Sequence, residues 1–302
     1  MDIGTTRVKS ILTRASGFLE PVCSHSLQPY RGCPLGNSLC GVGCYVRHSG
    51  HITRGRTWGR FLEVRENAAE SYLLGYERER AWARSRRGGF TIFLSSATEP
   101  FPPQERRFGV TRSVLAAMCD HPPDALIVQT HSPLVLEALD VLEPLSHQCR
   151  LRVHVSIESD RERLPGLPPP ASPVARRFEA ARALRDAGVR VVVTVAPLLP
   201  IEDPDRFFAR VSESADAVVL DHFIGGDGSV NGARTLRTPL PLAMGAVDPD
   251  SVALAYRDQM ARFAERYLPG RVGIGAEGFA GHMLPSSSHD REDAPEEPSR
   301  EG

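Results

Sequence analysis

The chain has 302 residues but only one lysine, Lys9, so nearly all of its positive charge is guanidinium. That planar, permanently charged fork suits carboxylate and phosphate recognition better than an ammonium point charge does. Long apolar runs are also missing. None approaches the roughly 18 residues a membrane-spanning helix needs, which excludes such a span. The start, Met1-Asp2-Ile3-Gly4, lacks a basic region followed by an apolar one, so export is not expected and a cytoplasmic location is. Cysteine is scarce at six residues, yet three of the six lie within twelve positions. In a reducing compartment, such clustering points to metal binding or catalysis rather than to disulfides.

The length suffices for one large α/β barrel or two ordinary domains, and the apolar and charged fractions are those of a globular protein. Net charge is near zero but unevenly spread. Residues 1–117 hold 17 Lys and Arg against 9 Asp and Glu, and the remainder holds 19 against 28. An arginine-rich first third leaves nucleic acid open as a partner, although Arg78, Arg80, Arg84, Arg86 and Arg87 also fit a solvated helix face.

The cysteine cluster is Cys33, Cys40 and Cys44, spaced by six and then three residues among Gly32, Gly36, Gly41 and Gly43. Glycines let the backbone fold tightly enough for several thiolates to converge. Structural zinc takes four ligands, and iron–sulfur clusters normally take four thiolates. Three thiolates therefore fit a cluster with one iron left for a non-protein ligand. Zinc completed by His25, His48 or His51 is a second reading, and buried unpaired thiols a third.

Residues 1–22 show no sustained periodicity and are expected to form an irregular leader. A first strand over Cys23–Gln28 leads into the cysteine loop, residues 28–48. Phe61–Val64 alternates like a strand, and Asn67 is placed to cap a helix reaching about Trp82. From residue 90 strands and helices alternate. The strands fall at 91–95, 125–129, 151–157, 189–195 and 217–220, and the helices start near Thr111, Ser132, Ala175 and Pro204. Gly188 stands just past the third of these helices, where a C-terminal glycine belongs. Such alternation implies right-handed βαβ units and a parallel sheet. Polar residues close each strand: Thr98 and Glu99, Thr130 and His131, Ser156 and Glu158, Thr194, then Asp221 and His222. In a parallel sheet those ends share one face, where ligands bind. After residue 224 one helix over Asp250–Tyr267 and a small strand over Arg271–Ile274 are expected in an otherwise irregular extension to residue 284. Residues 285–302 are Ser, Pro, Glu and Asp, a composition expected to be disordered.

Four stretches resemble the radical S-adenosylmethionine enzymes, in particular the branch that includes spore photoproduct lyase. They are Gln28-Pro29-Tyr30-Arg31-Gly32-Cys33 with Cys44-Tyr45-Val46-Arg47, and Ala97-Thr98-Glu99-Pro100-Phe101 with Glu105 and Thr111-Arg112. Thr130-His131-Ser132 follows, and then Arg176-Arg177-Phe178 through Ala187-Gly188 to Ala196-Pro197-Leu198-Leu199-Pro200. The resemblance implies a partial (β/α)6 TIM-like barrel over residues 23–224, with parallel strands and an irregular C-terminal extension. It implies a [4Fe–4S] cluster on Cys33, Cys40 and Cys44 and S-adenosylmethionine on the fourth iron. Reductive cleavage would then give a 5′-deoxyadenosyl radical, with an electron donor such as flavodoxin or ferredoxin as partner. By position, Tyr45 would pack near the adenine, and Thr98 and Glu99 would lie near the methionyl amino group. His131 would stand near the ribose or carboxylate, Ser156 would face the ribose, and the Ala196 backbone would contact the adenine. Three departures stand out. The cysteine spacing is wider than the branch's three and two, and Gly43 replaces an aromatic residue. Ser96 aligns with the hydrogen-donor cysteine of the repairing members, and its strong O–H bond argues against photoproduct repair. Cys119 and Cys149 read as packing residues, Cys23 as a weaker candidate for a second thiol role, and the substrate is not legible.

Overall fold

A computed structural model describes residues 1–285. Its spine follows from runs such as Val191–Val195, in which every residue is buried. Alternate side chains of a strand point to opposite faces, so an all-apolar run needs cover on both sides. Val191, Val193 and Val195 join the outer core beneath the helices, whereas Val192 joins the inner one. The next strand divides the same way, with Val218 and Leu220 outward and Ala217 and Val219 inward.

The strands in chain order are β1 (Asp2–Thr6), β2 (Leu12–Arg14), β3 (His25–Leu27), β4 (Tyr30–Gly32), β5 (Phe61–Arg65), β6 (Thr91–Leu94), β7 (Ala125–Thr130), β8 (Arg150–Ser156), β9 (Val191–Val195), β10 (Ala217–Leu220) and β11 (Val272–Ile274). The main sheet has the order β11-β10-β9-β8-β7-β6-β3-β2. Every pairing from β3 to β11 is parallel, and only the edge strand β2 runs antiparallel. Helices Ala68–Arg87, Val110–Asp120, Leu139–Ser146, Val174–Asp186, Pro204–Ser214 and Leu254–Tyr267 follow successive parallel strands. The result is a partial (β/α)6 barrel. It does not close, because β2 and β11 are both free edges. The gap is filled by side chains instead: Phe18, ahead of β3, meets Phe279, after β11, edge to face with ring centroids 5.9 Å apart.

Several local expectations change. Residues 1–22, expected to be irregular, contribute β1, which pairs parallel with β5, and β2, which pairs with β3. The first pairing rests on backbone hydrogen bonds to a segment far along the chain, and a polar run such as Asp2–Thr6 carries no periodicity that reveals it. Phe61–Arg65 is a strand, but of a separate three-stranded sheet, β1-β5-β4. Asn67 precedes its helix without capping it. Its side chain accepts from Val8 N at 2.8 Å and donates to Val8 O at 2.9 Å, fastening the chain after β1. The extension after residue 224 carries the expected helix and small strand, the sixth helix and β11, which pairs parallel with β10, and adds unexpected helices at Leu240–Val247 and Gly275–Ala280. Residues 286–302, most of the tail expected to be disordered, lie outside the described residues. No described helix is long and apolar enough to cross a membrane.

Candidate active site at the cysteine loop

Strand β4 ends at Gly32, whose φ of 83° turns the chain at Cys33. Cys40 lies in the short helix Leu39–Gly43 and Cys44 directly follows it. The wide spacing closes because glycines stack without side chains. A Cβ on Gly41 would fall inside the backbone of Leu35 and Gly36, and one on Gly36 would fall inside Gly59. At Gly43, where the resembling family has an aromatic residue, the space is taken by Leu240, whose Cδ2 would lie 2.8 Å from an added Cβ.

All three thiols line one cavity of about 500 Å³ at the carboxyl ends of the parallel strands. Burial pushes Cys33 and Cys44 up, Cys44 to about 12, and Cys40 pushes both further, so the three sulfurs lie within electrostatic reach of one another. A coordinating cation reverses this, since a metal-bound thiol loses its proton. Among the described residues no three His, Cys, Asp or Glu side chains converge tightly enough to chelate a single ion. No other described cysteine lines the cavity. Cys23, Cys119 and Cys149 each direct their sulfur at a backbone carbonyl in their own surroundings, 3.6–3.7 Å away.

Of the residues expected to meet the nucleotide, Tyr45, Thr98, Glu99, His131 and Ala196 line the cavity with the thiols. Thr98 Oγ1 donates to Gln28 Oε1 at 3.2 Å, tying the end of β6 to that of β3. The Glu99 carboxylate is already engaged. It accepts from Phe101 N at 2.9 Å, Thr130 Oγ1 at 2.5 Å and His131 N at 2.8 Å. It thereby fixes the backbone that presents His131. Ser156, expected at the ribose, lies beneath the lining. Its hydroxyl is 3.1 Å from Thr194 Oγ1 and accepts from Gln129 Nε2 at 3.3 Å, and it is Gln129 that reaches the cavity.

Sequence reading missed a buried ion-pair group. Arg177 Nη1 donates to Glu158 Oε2 and to Ser156 O, each at 2.6 Å. His131 Nε2 lies 2.8 Å from Glu158 Oε1, an ion pair without hydrogen-bond alignment. Burial works against the charged form of both groups. The Arg177 and His131 cations nevertheless hold Glu158 well below the usual carboxylate range. In turn the Cys40 sulfur and Glu158 hold His131 well above its ordinary value. Asp221, at the end of β10, is raised by burial to about 7, with Arg257 opposing. Its oxygens fit because residue 226 is glycine, and a Cβ there would meet the carboxylate. Glu158 and Asp221 were signalled by their strand-end positions. Phe18, Phe279 and Leu240, which complete the wall, carried no such signal.

Comparison with known proteins comes down on the same architecture. No family model matches the sequence. An uncharacterised protein of Acidianus two-tailed virus, ORF301, is 28% identical over 167 residues, 55% of this chain and 50% of that protein. The chain thus spans about half the length of the curated relative it matches. A substituted spore photoproduct lyase, with bound AdoMet and dinucleoside spore photoproduct, superposes with a TM-score of 0.59 at 17% identity, over 90% of this chain and 81% of that one. A second form of the same lyase, with one tyrosine replaced, gives 0.58 at 17% identity over the same shares. The chain has the fold of spore photoproduct lyase, as its motifs implied.

Proposed function

We propose that this protein is a radical S-adenosylmethionine enzyme. Cys33, Cys40 and Cys44 would hold a [4Fe–4S] cluster, and Tyr45, Thr98, His131 and the Ala196 backbone would hold S-adenosylmethionine beside it. Together the two groups supply reductive cleavage of the sulfonium, giving methionine and a 5′-deoxyadenosyl radical that takes a hydrogen atom from an organic substrate. The observation that carries the reading is the placing of exactly these sequence-selected groups, three thiols and five candidate nucleotide contacts, around one cavity at the strand ends. The three thiols border the same space.

The chain's own contributions follow from the geometry. Glu99 and Ser156 act from behind, Glu99 by fixing the His131 backbone and Ser156 through Gln129. The Cys40 sulfur and Glu158 favour the cationic form of His131, which suits it to a carboxylate or ribose oxygen. Trp58, Phe93, Phe223 and Phe279 give the cavity apolar walls that exclude water from a reactive carbon radical. Ser96 lines the cavity and accepts from Gln28 Nε2 at 2.9 Å, so the position that would return a hydrogen atom holds no thiol. That serine argues against repair of a DNA photoproduct as the reaction.

Anaerobic reconstitution with iron and sulfide tests the reading. About four irons per chain, visible charge-transfer absorption, and 5′-deoxyadenosine formed under dithionite are expected. Cys40→Ala should lose all three. Tight zinc uptake with no cleavage, or full cleavage by the Cys40→Ala variant, would sink the assignment.

A further inference from the structure

Outside the cavity, on the flank of the cysteine loop, two arginines share a single carboxylate, with Arg65 and Arg54 beside them. The antiparallel pairing of β4 with β5 sets Arg31 opposite Glu63, and Arg65 follows two residues later on the same face. Arg31 Nη2 lies 2.7 Å and Arg56 Nη2 2.5 Å from the same oxygen, Glu63 Oε1. The two cations hold Glu63 below its ordinary value despite its partial burial. Arg65 donates to Gln28 O at 3.0 Å. Its own pKa is lowered by burial and by the neighbouring Arg31 and Arg54 cations, which places all of them in one field. Arg54 is exposed at the tip of the adjoining turn. Glu63 neutralises only one of these four charges, so the patch is strongly positive. None of the four arginines lines the cavity.

The patch also sits close to a ligand sulfur. The Arg56 guanidinium stacks on the Phe61 ring, 3.9 Å from its centroid. Phe61 in turn packs in one buried cluster with Trp58, Val46 and Cys33. The cationic surface therefore stacks on a ring of the same buried cluster that contains the cysteine. Resting on the function proposed above, we infer that this patch is the docking surface for a small acidic one-electron carrier protein. The cluster would need an electron from outside. The best place to deliver it is where the protein wall is thin and the charge attracts the donor. Nucleic acid is the other polyanion to weigh, but a phosphate backbone is tracked by cations strung along a groove. Here two of the cations share one carboxylate beside the metal loop. Charge complementarity of this kind raises the association rate and makes it depend on salt.

The test compares reductants on the reconstituted protein and on Arg54→Glu/Arg56→Glu, with Arg54→Glu alone as a control that leaves the Phe61 stack intact. With dithionite, both variants should form 5′-deoxyadenosine at the wild-type rate and keep their iron. With an acidic flavodoxin as donor, the wild-type rate should fall as salt rises, and the double variant should be slower by about tenfold or more at low salt. Arg54→Glu should fall between. Direct titration with the same flavodoxin should show weaker binding by the double variant. An unchanged flavodoxin-driven rate overturns the inference, and so does wild-type protein that does not bind the carrier. Equal losses with both reductants and intact iron would place the arginines in the cluster's environment instead, and also overturn it. A duplex oligonucleotide whose affinity alone drops in the variants would make the patch a nucleic-acid site. If wild-type protein forms no 5′-deoxyadenosine even with dithionite, the enzyme assignment fails, and the binding titration still judges the surface.

Discussion

Splitting the buried pair Glu158–Arg177 should cost more stability than any exposed ion pair of this chain contributes. Both side chains are less than a tenth exposed, and they meet at 2.6 Å. Glu158→Gln leaves the Arg177 cation buried against an amide. Arg177→Met leaves a buried carboxylate with His131 as its one remaining cation, and also frees the Ser156 carbonyl. Removing one partner of a buried pair costs about 3–5 kcal/mol, because the other charge is left without compensation. For a chain of this size that corresponds to roughly 2 °C in Tm per kcal/mol, so to a drop of about 6–10 °C. The double variant, with neither charge, should lose far less than the sum, and the cycle should give about 2–3 kcal/mol of coupling. Arg177→Met should be the worse single change, since it breaks two bonds. Because the cations depress the Glu158 pKa, the contribution is fully present above the unfolded value of about 4.3. It fades only as pH falls below that, through the lower native value. Urea unfolding of the four proteins at pH 7 measures all of this. Single losses below about 1 kcal/mol, or additivity within about 0.5 kcal/mol, would refute the ion-pair argument.

Other substitutions probe separate features. His154 is fully buried on β8, stacked on Phe279 at 5.7 Å, and neither ring nitrogen has a hydrogen-bond partner. Burial and Arg152 hold its pKa well below normal, so it is neutral when folded and protonates on unfolding; stability should decline as pH drops below about 6.5. His154→Leu should raise stability by about 1–2 kcal/mol and flatten that decline in pH-dependent thermal melts, and an unchanged slope would contradict the account. In the cysteine loop, Gly41→Ala should cost about 3 kcal/mol or more and abolish iron uptake, because its Cβ would meet backbone. Gly43→Ala meets the Leu240 side chain, at Cδ2 and Cβ, and no backbone, so it should cost less than Gly41→Ala and keep its iron. Iron content and melting temperature of the two variants, measured side by side, decide the point.

The main sheet was readable because its strands are locally self-evident. Val191–Val195 and Ala217–Leu220 are apolar throughout, and Pro204–Ser214 begins at Asp203, whose carboxylate accepts from Arg206 N at 3.0 Å. β1 and the true role of Asn67 were not readable, since each depends on a partner far along the chain, and the three-residue β2 is too short to show a local pattern. Of the residues selected from motif and strand-end position, Cys33, Cys40, Cys44, Tyr45, Thr98, Glu99, His131 and Ala196 line one cavity. Ser156 shares the strand end but points below the lining, which only the register of β7, β8 and β9 fixes.

The sequence by itself determined the parallel α/β architecture and the roster of thiols and strand-end polar groups, because hydrophobic periodicity and short motifs are local properties. Only the tertiary structure decided that a stretched cysteine loop lines one cavity with its three thiols, through glycine backbones packed where no Cβ fits. It also decided that Glu158 and Arg177 neutralise each other beside His131, and that Phe18 and Phe279, from opposite ends of the chain, fill the open side of the barrel. Those outcomes depend on which distant atoms meet, and that is set by packing the whole chain at once.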